Sequence, residues 1–310
     1  MKRLLAFLCC TIIISASAQQ KTNTFHIVDQ DTKIGIPASS VAIVRARLAI
    51  NTEKEGAFSI PGNLAAMRDT VIICAQNYNM LKIQLHQLDG MDTIPLKRMG
   101  FEPVTLKIDT GKDFLINDFD RRGVAYYSGL NTETAAFEYL QLAQQFDLPK
   151  SGAILKSVQI NRLAFYVDYS SQGNYTSMEY TKFRIRIYDI DPGTGGPGRD
   201  LASEIIEAKS GDSKQIKINT DAFQILIPGK TFFVAIEWLR DFHNMGYVNV
   251  FDHKLQAAVQ QINYRPAIGI SPVKGKKLNM WALNFRHQWK PYTYFSPDWT
   301  DLAIKAIVFQ

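Results

Sequence analysis

The chain has 310 residues, more than one domain usually needs, so two domains are expected. Hydrophobic residues make up 46% and charged residues 21%, the balance of a globular protein rather than a disordered one. The formal charge of +6 is scattered, with its densest cluster at 274–277, so no nucleic-acid partner is expected.

Lys2 and Arg3 precede an apolar run over residues 4–14, and Ala16-Ser17-Ala18 supplies small residues after it. This is the pattern of a signal peptide over residues 1–18 with cleavage after Ala18, which lowers the formal charge by two to +4. The run is too short to span a bilayer, and no later segment approaches ~18 uninterrupted apolar residues. An exported protein without a transmembrane segment in its mature chain is expected, at a periplasmic, cell-surface or secreted address. Cys9 and Cys10 follow Phe7 and Leu8, not the small residues of a lipoprotein signal. Cleavage leaves Cys74 alone, so no intramolecular disulfide is expected. Its apolar flanks, Val71-Ile72-Ile73 and Ala75, predict a buried thiol acting as a small hydrophobe.

Short apolar segments then recur between turn signals at 25–28, 40–44, 48–52, 57–60, 70–75, 78–85 and 93–96. Such spacing predicts a small all-β sandwich over 22–99. The residues Phe25-His26-Ile27-Val28-Asp29, Gly35-Ile36-Pro37, Val41-Ala42-Ile43, Asn51-Thr52-Glu53 and Gly56-Ala57-Phe58-Ser59-Ile60 lie in that stretch. With Val71-Ile72-Ile73, Asn77-Tyr78 and Ile94-Pro95-Leu96, it resembles the carboxypeptidase regulatory-like domain, a transthyretin-like sandwich common at the front of exported Bacteroidota proteins. Asn77 stands where that family usually has Gly, and Glu53 where it usually has Asp. Asn is the next residue most willing to adopt a left-handed backbone. The resemblance implies a scaffold without catalytic residues of its own. No His-x-x-Glu accompanies it, so a zinc peptidase is not expected, and 310 residues leave no room for a transporter barrel.

Residues 100–120 mix Gly, Pro and Asp and read as a linker, with 104–108 available as one strand. Over 135–146, Phe137, Leu140, Ala143 and Phe146 fit a helix while Phe137, Tyr139 and Gln141 fit a strand, and the strand is favoured. Across 154–167 the apolar parity reverses at Asn161-Arg162, which predicts a bulge or a sheet corner. Phe183, Ile185 and Ile187 alternate with Arg184, Arg186 and Tyr188, as an inner sandwich strand does. The segment 231–239 is apolar on both parities except at Glu237, which is expected to pair with Arg184 or Arg186. Further strands to the chain end predict a larger jelly-roll-like β-sandwich over 121–310.

Two stretches carry candidate chemistry. Gly193-Thr194-Gly195-Gly196-Pro197-Gly198 follows a strand and satisfies G-x-G-x-x-G, but Arg199-Asp200 replaces the Lys-Ser/Thr of a phosphate loop and no βαβ pattern surrounds it. A tight inter-strand connection explains it better, and Asp189, Asp191 and Asp200 are candidate ligands for a structural calcium. Trp281, Trp289, Tyr292, Tyr294, Phe295 and Trp299 crowd the C-terminal region. Exposed together, Trp289, Tyr292, Tyr294 and Trp299 would offer apolar faces to a sugar, with Arg286 and His287 orienting its hydroxyls; buried, they would pack between the sheets. No Gly-x-Ser-x-Gly and no metal-type His spacing is present. The expected function is a non-catalytic cell-envelope binding or scaffolding protein whose partner is an envelope protein or a glycan. The alternatives are a carbohydrate-binding protein that uses the C-terminal aromatics and, below it, a hydrolase with a loop-built site.

Overall fold

The computed structural model of the protein describes residues 22–65, 68–100, 104–106, 108, 110–128, 139–167, 175–177, 180–211, 213–241, 243–252, 255–275 and 277–310. The residues 1–18 expected to form a signal peptide lie outside them. The fold is all-β. The chain divides into two compact units, one taking the residues up to Leu48 with Thr52–Arg98, the other Ala49–Asn51 with Met99–Gln310. Among the described residues no helix is long and apolar enough to cross a membrane.

Seven strands occupy the first part: β1 (Thr22–Asp29), β2 (Ser40–Ile43), β3 (Leu48–Asn51), β4 (Ala57–Pro61), β5 (Thr70–Cys74), β6 (Leu81–Gln84) and β7 (Thr93–Leu96). They form two sheets in the orders β4-β1-β7 and β3-β2-β5-β6, with β1 and β7 parallel. Alternate residues meet in the core, where Ile27, Ile60, Val41, Ile43, Val71, Ile73 and Ile94 are buried and Phe25 stacks on Phe58. The turn before β4 needs glycine. Gly56 has φ +74°, and a Cβ there would lie 2.1 Å from the Ile27 carbonyl oxygen. Asn77 takes the left-handed backbone, at φ +66°, which its side chain tolerates. Asp29 ties the unit's ends together by accepting from Asp31 N–H, Thr32 N–H, Tyr78 Oη and Arg98 Nε. The Thr32 N–H and the Arg98 guanidinium hold its carboxyl below the usual range. Cys74 is half-buried, not buried as its flanks predict, because it is the last residue of β5, where the strand emerges.

The second part continues with β8 (Asp113–Ile116), β9 (Tyr127–Ser128), β10 (Tyr139–Asp147), β11 (Ala153–Asn161), β12 (Phe165–Val167), β13 (Tyr175–Ser177), β14 (Thr181–Ile190), β15 (Pro197–Asp200) and β16 (Ile206–Ser210). Then come β17 (Gln215–Asn219), β18 (Leu226–Ile227), β19 (Thr231–Trp238), β20 (Met245–Asp252), β21 (Ala257–Tyr264), β22 (Ile268–Gly269), β23 (Met280–Asn284), β24 (Trp289–Pro291) and β25 (Ile304–Phe309). A seven-stranded sheet runs β15-β14-β19-β10-β23-β24 with β16 also on β14, and a five-stranded sheet runs β17-β11-β25-β8 with β18 also on β11. Their facing sides form one core: Phe146, Phe183, Ile185, Ile187, Phe232, Val234 and Ile236 from the first, Leu155, Val158, Ile160, Ile304, Ala306 and Val308 from the second.

Two expectations are corrected here and one holds. The stretch read as a linker does contribute one strand to the second unit, but that strand is β8 at Asp113–Ile116 rather than the expected 104–108; it pairs with β25 and packs Phe114 and Ile116 on the core. The bulge in β11 falls between Leu155 and Ser157, not at Asn161-Arg162. The parity change at Asn161-Arg162 marks the strand's end, after which β12 pairs with β13 outside the five-stranded sheet, closer to the sheet corner that was the other alternative. The ambiguous stretch is a strand from Tyr139 onward, with Leu142 and Phe146 facing the core; Phe137 lies outside the described residues.

Candidate binding face

A sheet's outer face is usually solvated, yet part of the seven-stranded sheet is covered on that side. Ala143, Tyr188, Phe233 and Ala235 form a second buried cluster, with Trp281 and Trp289 packed against it. Strand alternation puts them there: each is one residue out of phase with the core positions of its own strand. Trp289 meets Tyr188 edge-on at 5.6 Å, and Trp281 meets Phe233 edge-on at 6.2 Å. Charged and amide groups from the same parity lie beside these rings. Arg186 Nε is 2.6 Å from Asp200 Oδ2 and its Nη1 is 3.4 Å from Glu237 Oε2, with its guanidinium 5.6 Å from the Tyr188 ring centre. Arg184 stands in register between Glu237 and Glu207. Tyr188 Oη donates to Gln141 Oε1 at 2.9 Å, and Trp281 Nε1 donates to Gln145 Oε1 at 3.2 Å.

Burial acts against the charged forms of several groups in this patch. It pushes the Asp200 carboxyl and the Tyr188 phenol up and the Arg184 guanidinium down. Arg186 is held above its ordinary value against that desolvation, by Tyr188, Asp200 and Glu237. His287 has left-handed backbone in the β23–β24 turn, at φ +56°. Burial pushes its imidazole down to about 4, with Glu237 pulling the other way and Arg186 reinforcing it. Asn284 holds that turn by accepting from the N–H groups of Arg286 and Gln288. The result is a close-packed polar array in which cation and carboxylate neutralise one another. The pairing expected of Glu237 forms with Arg186.

The glycine-rich stretch is a hairpin connection, with Ile190 opposite Pro197. Its glycines answer to packing. Gly195 has φ +73°, and a Cβ on Gly196 would lie 2.8 Å from Trp281 Cζ3, so the bare backbone at 196 rests against the indole. The three acids proposed for calcium have separate protein partners. Asp189 accepts from Arg199 N–H at 2.6 Å, Asp191 from Gly193 N–H and Thr194 Oγ1, and Asp200 from Arg186 and Ala202 N–H. Among the described residues no group of three or more His, Cys, Asp or Glu is placed to hold a metal ion.

The C-terminal aromatics do not share one groove. Trp289 belongs to the outer cluster, whereas Tyr292 belongs to the core between the sheets, where its Oη lies 3.0 Å from Ser128 Oγ and its ring meets Tyr139 edge-on. The reason is local: β24 ends at Pro291 and Tyr292 N–H bonds to the Met280 carbonyl, which turns the side chain inward. Arg286 is exposed in the β23–β24 turn. Tyr294 is exposed, and Trp299 is half-buried 4.4 Å from Tyr126. Tyr126, Gln141 and Gln145 escape sequence reasoning. Tyr126 lies in a stretch with no periodic pattern, and of the two glutamines Gln141 falls on the strand alternation but neither is assigned a role by it.

No family model matches the chain, and no curated protein matches it. Among solved structures, the clostridial cysteine protease Cwp84 after propeptide cleavage is similar at 11% identity, covering 93% of this chain and 70% of that one, with a TM-score of 0.34. A structure of the cysteine protease and lectin-like domains of Cwp84, a surface layer associated protein of Clostridium difficile, matches at 12% identity over 94% and 64%, with a TM-score of 0.33. The infectious bursal disease virus Gx strain matches at 10% identity over 93% and 60%, with a TM-score of 0.20. Likeness at this level carries no argument about this chain.

Proposed function

We propose that the protein is an exported, non-catalytic binding or scaffolding protein of the cell envelope, built on a carboxypeptidase regulatory-like domain. One observation carries the reading. On the covered sheet face Arg186 stands between Asp200 and Glu237, so these three titratable groups are spent on one another and serve packing rather than proton transfer. The signal-peptide pattern at Lys2, Arg3 and Ala16-Ser17-Ala18 supports the address. A second reading, carbohydrate recognition, is favoured by the ordered but exposed rings of Tyr126 and Tyr294. Cell fractionation with intact mass tests the first reading. A mature chain beginning at Gln19 in the envelope or medium is expected, and an unprocessed cytoplasmic chain would remove it.

A further inference from the structure

We infer that Tyr294, Phe295, Tyr126 and Trp299 form a stacking platform for the pyranose rings of a neutral glycan, an inference that rests on the carbohydrate reading above. The rings touch in series: Tyr294 and Phe295 at 4.8 Å, Phe295 and Tyr126 at 6.4 Å, Tyr126 and Trp299 at 4.4 Å between centroids. The two tyrosines face water, with Tyr294 54% and Tyr126 48% exposed.

These exposed rings are held in place. Tyr294 lies near-parallel to the buried Tyr292, at 13° and 6.3 Å, and Tyr292 is itself anchored by Ser128. The Tyr126 carbonyl accepts from Ile270 N–H at 2.8 Å, and Trp299 N–H bonds to the Phe295 carbonyl at 3.0 Å across the turn. A platform ordered before binding loses little further freedom when a ligand lands on it.

The geometry selects the ligand class. A cage for a quaternary ammonium needs rings standing apart around the cation, each within ~6 Å of it. Here Tyr126 is tilted 52° to Trp299 and 54° to Phe295 at contact distance, so no space is left between the rings. What remains is a stepped surface in which the exposed rings of Tyr294 and Tyr126 stand over Phe295 and Trp299, themselves partly buried against the core; it suits the C–H face of a sugar, with exposed Thr293, Ser296 and Asp298 in the same loop for hydroxyls. Asp298 is the one charged side chain in residues 292–299 and Arg121 and Arg122 precede Tyr126, so charges of both signs flank the rings and no charged glycan is singled out.

The test uses the full mature chain in affinity electrophoresis against xylan, mannan, mixed-linkage β-glucan and polygalacturonate, with tetramethylammonium followed by tryptophan fluorescence. Tyr126→Ala and Tyr294→Ala are compared with Tyr180→Ala, an exposed tyrosine outside the ring series, and thermal melts confirm that each variant is folded. Binding to a neutral polysaccharide that falls about tenfold in each platform variant but not in Tyr180→Ala is expected. Neutral-glycan binding unchanged in both platform variants would overturn the platform and leave the carbohydrate reading standing. Binding of polygalacturonate or tetramethylammonium alone would overturn the assigned ligand class. No binding by the wild type would overturn the inference together with the carbohydrate reading, while the export and scaffolding proposal, tested by fractionation, would be untouched.

Discussion

Arg186 shows how one residue sets the character of its surroundings. It sits between Asp200 and Glu237 with each of the three side chains no more than 13% exposed, so two carboxylates depend on one guanidinium. Removing one partner of such a group leaves charge buried without compensation, whereas replacing the whole group by apolar residues does not. Arg186→Leu is therefore expected to lower unfolding free energy by ~3 kcal/mol in urea titrations, the lower end for a broken buried pair. The triple variant with Asp200→Leu and Glu237→Leu recovers most of that loss. If Arg186→Leu melts like wild type, the ion pairs contribute nothing and the array is held by its rings alone. At this scale the sequence was informative about the pair, because alternation places Arg186 and Glu237 on the same side of neighbouring strands. Asp200 was not legible as their partner, since it arrives from the far arm of a hairpin whose register is set by the turn.

The hairpin between β14 and β15 makes the same point for an element. Its glycine run looks like a phosphate loop when read locally, but Gly196 is required by a ring from β23, a strand far away in sequence. Gly196→Ala would drive a methyl group into the Trp281 indole, and ~1–3 kcal/mol of destabilisation is expected from such overpacking. Trp281→Ala in the same chain should absorb most of that cost, so a double-mutant cycle in denaturant should return a coupling energy near the single-mutant loss. Additive losses would show that the glycine is needed for something other than the indole. The strands themselves were legible wherever one face is buried, as in β14 and β19, because period-two alternation survives there. The β11 bulge and the inward turn of Tyr292 were not, because each depends on a hydrogen-bond register that composition does not reveal. For the same reason the C-terminal aromatics looked like one set, although strand pairing sends Trp289 and Tyr292 to opposite faces of the sheet.

The stability of the whole molecule should depend on pH through groups whose native environments differ most from water. Carboxyls held below their ordinary value of 3.8, such as Asp29 and Asp191, support the fold above that value and lose the support as pH falls below it. His287 acts at a higher pH. Its ordinary value is 6.5 and burial lowers it to about 4, so between those limits the unfolded chain binds a proton that the folded chain refuses. Stability is therefore fully present above 6.5 and falls as pH drops towards 4, by up to ~3 kcal/mol at ~1.4 kcal/mol per unit. Asp200, raised by burial, has the opposite sign and offsets part of that fall. The measurement is the melting temperature of wild type and His287→Asn from pH 7.5 to 4.5. Asn keeps a side chain that tolerates the left-handed backbone at 287, so strain does not confuse the comparison. The wild-type curve should drop more steeply below pH 6.5 than the variant's, and the two should run parallel above it. Parallel curves throughout would mean that His287 takes up its proton as readily in the folded protein as in the unfolded chain.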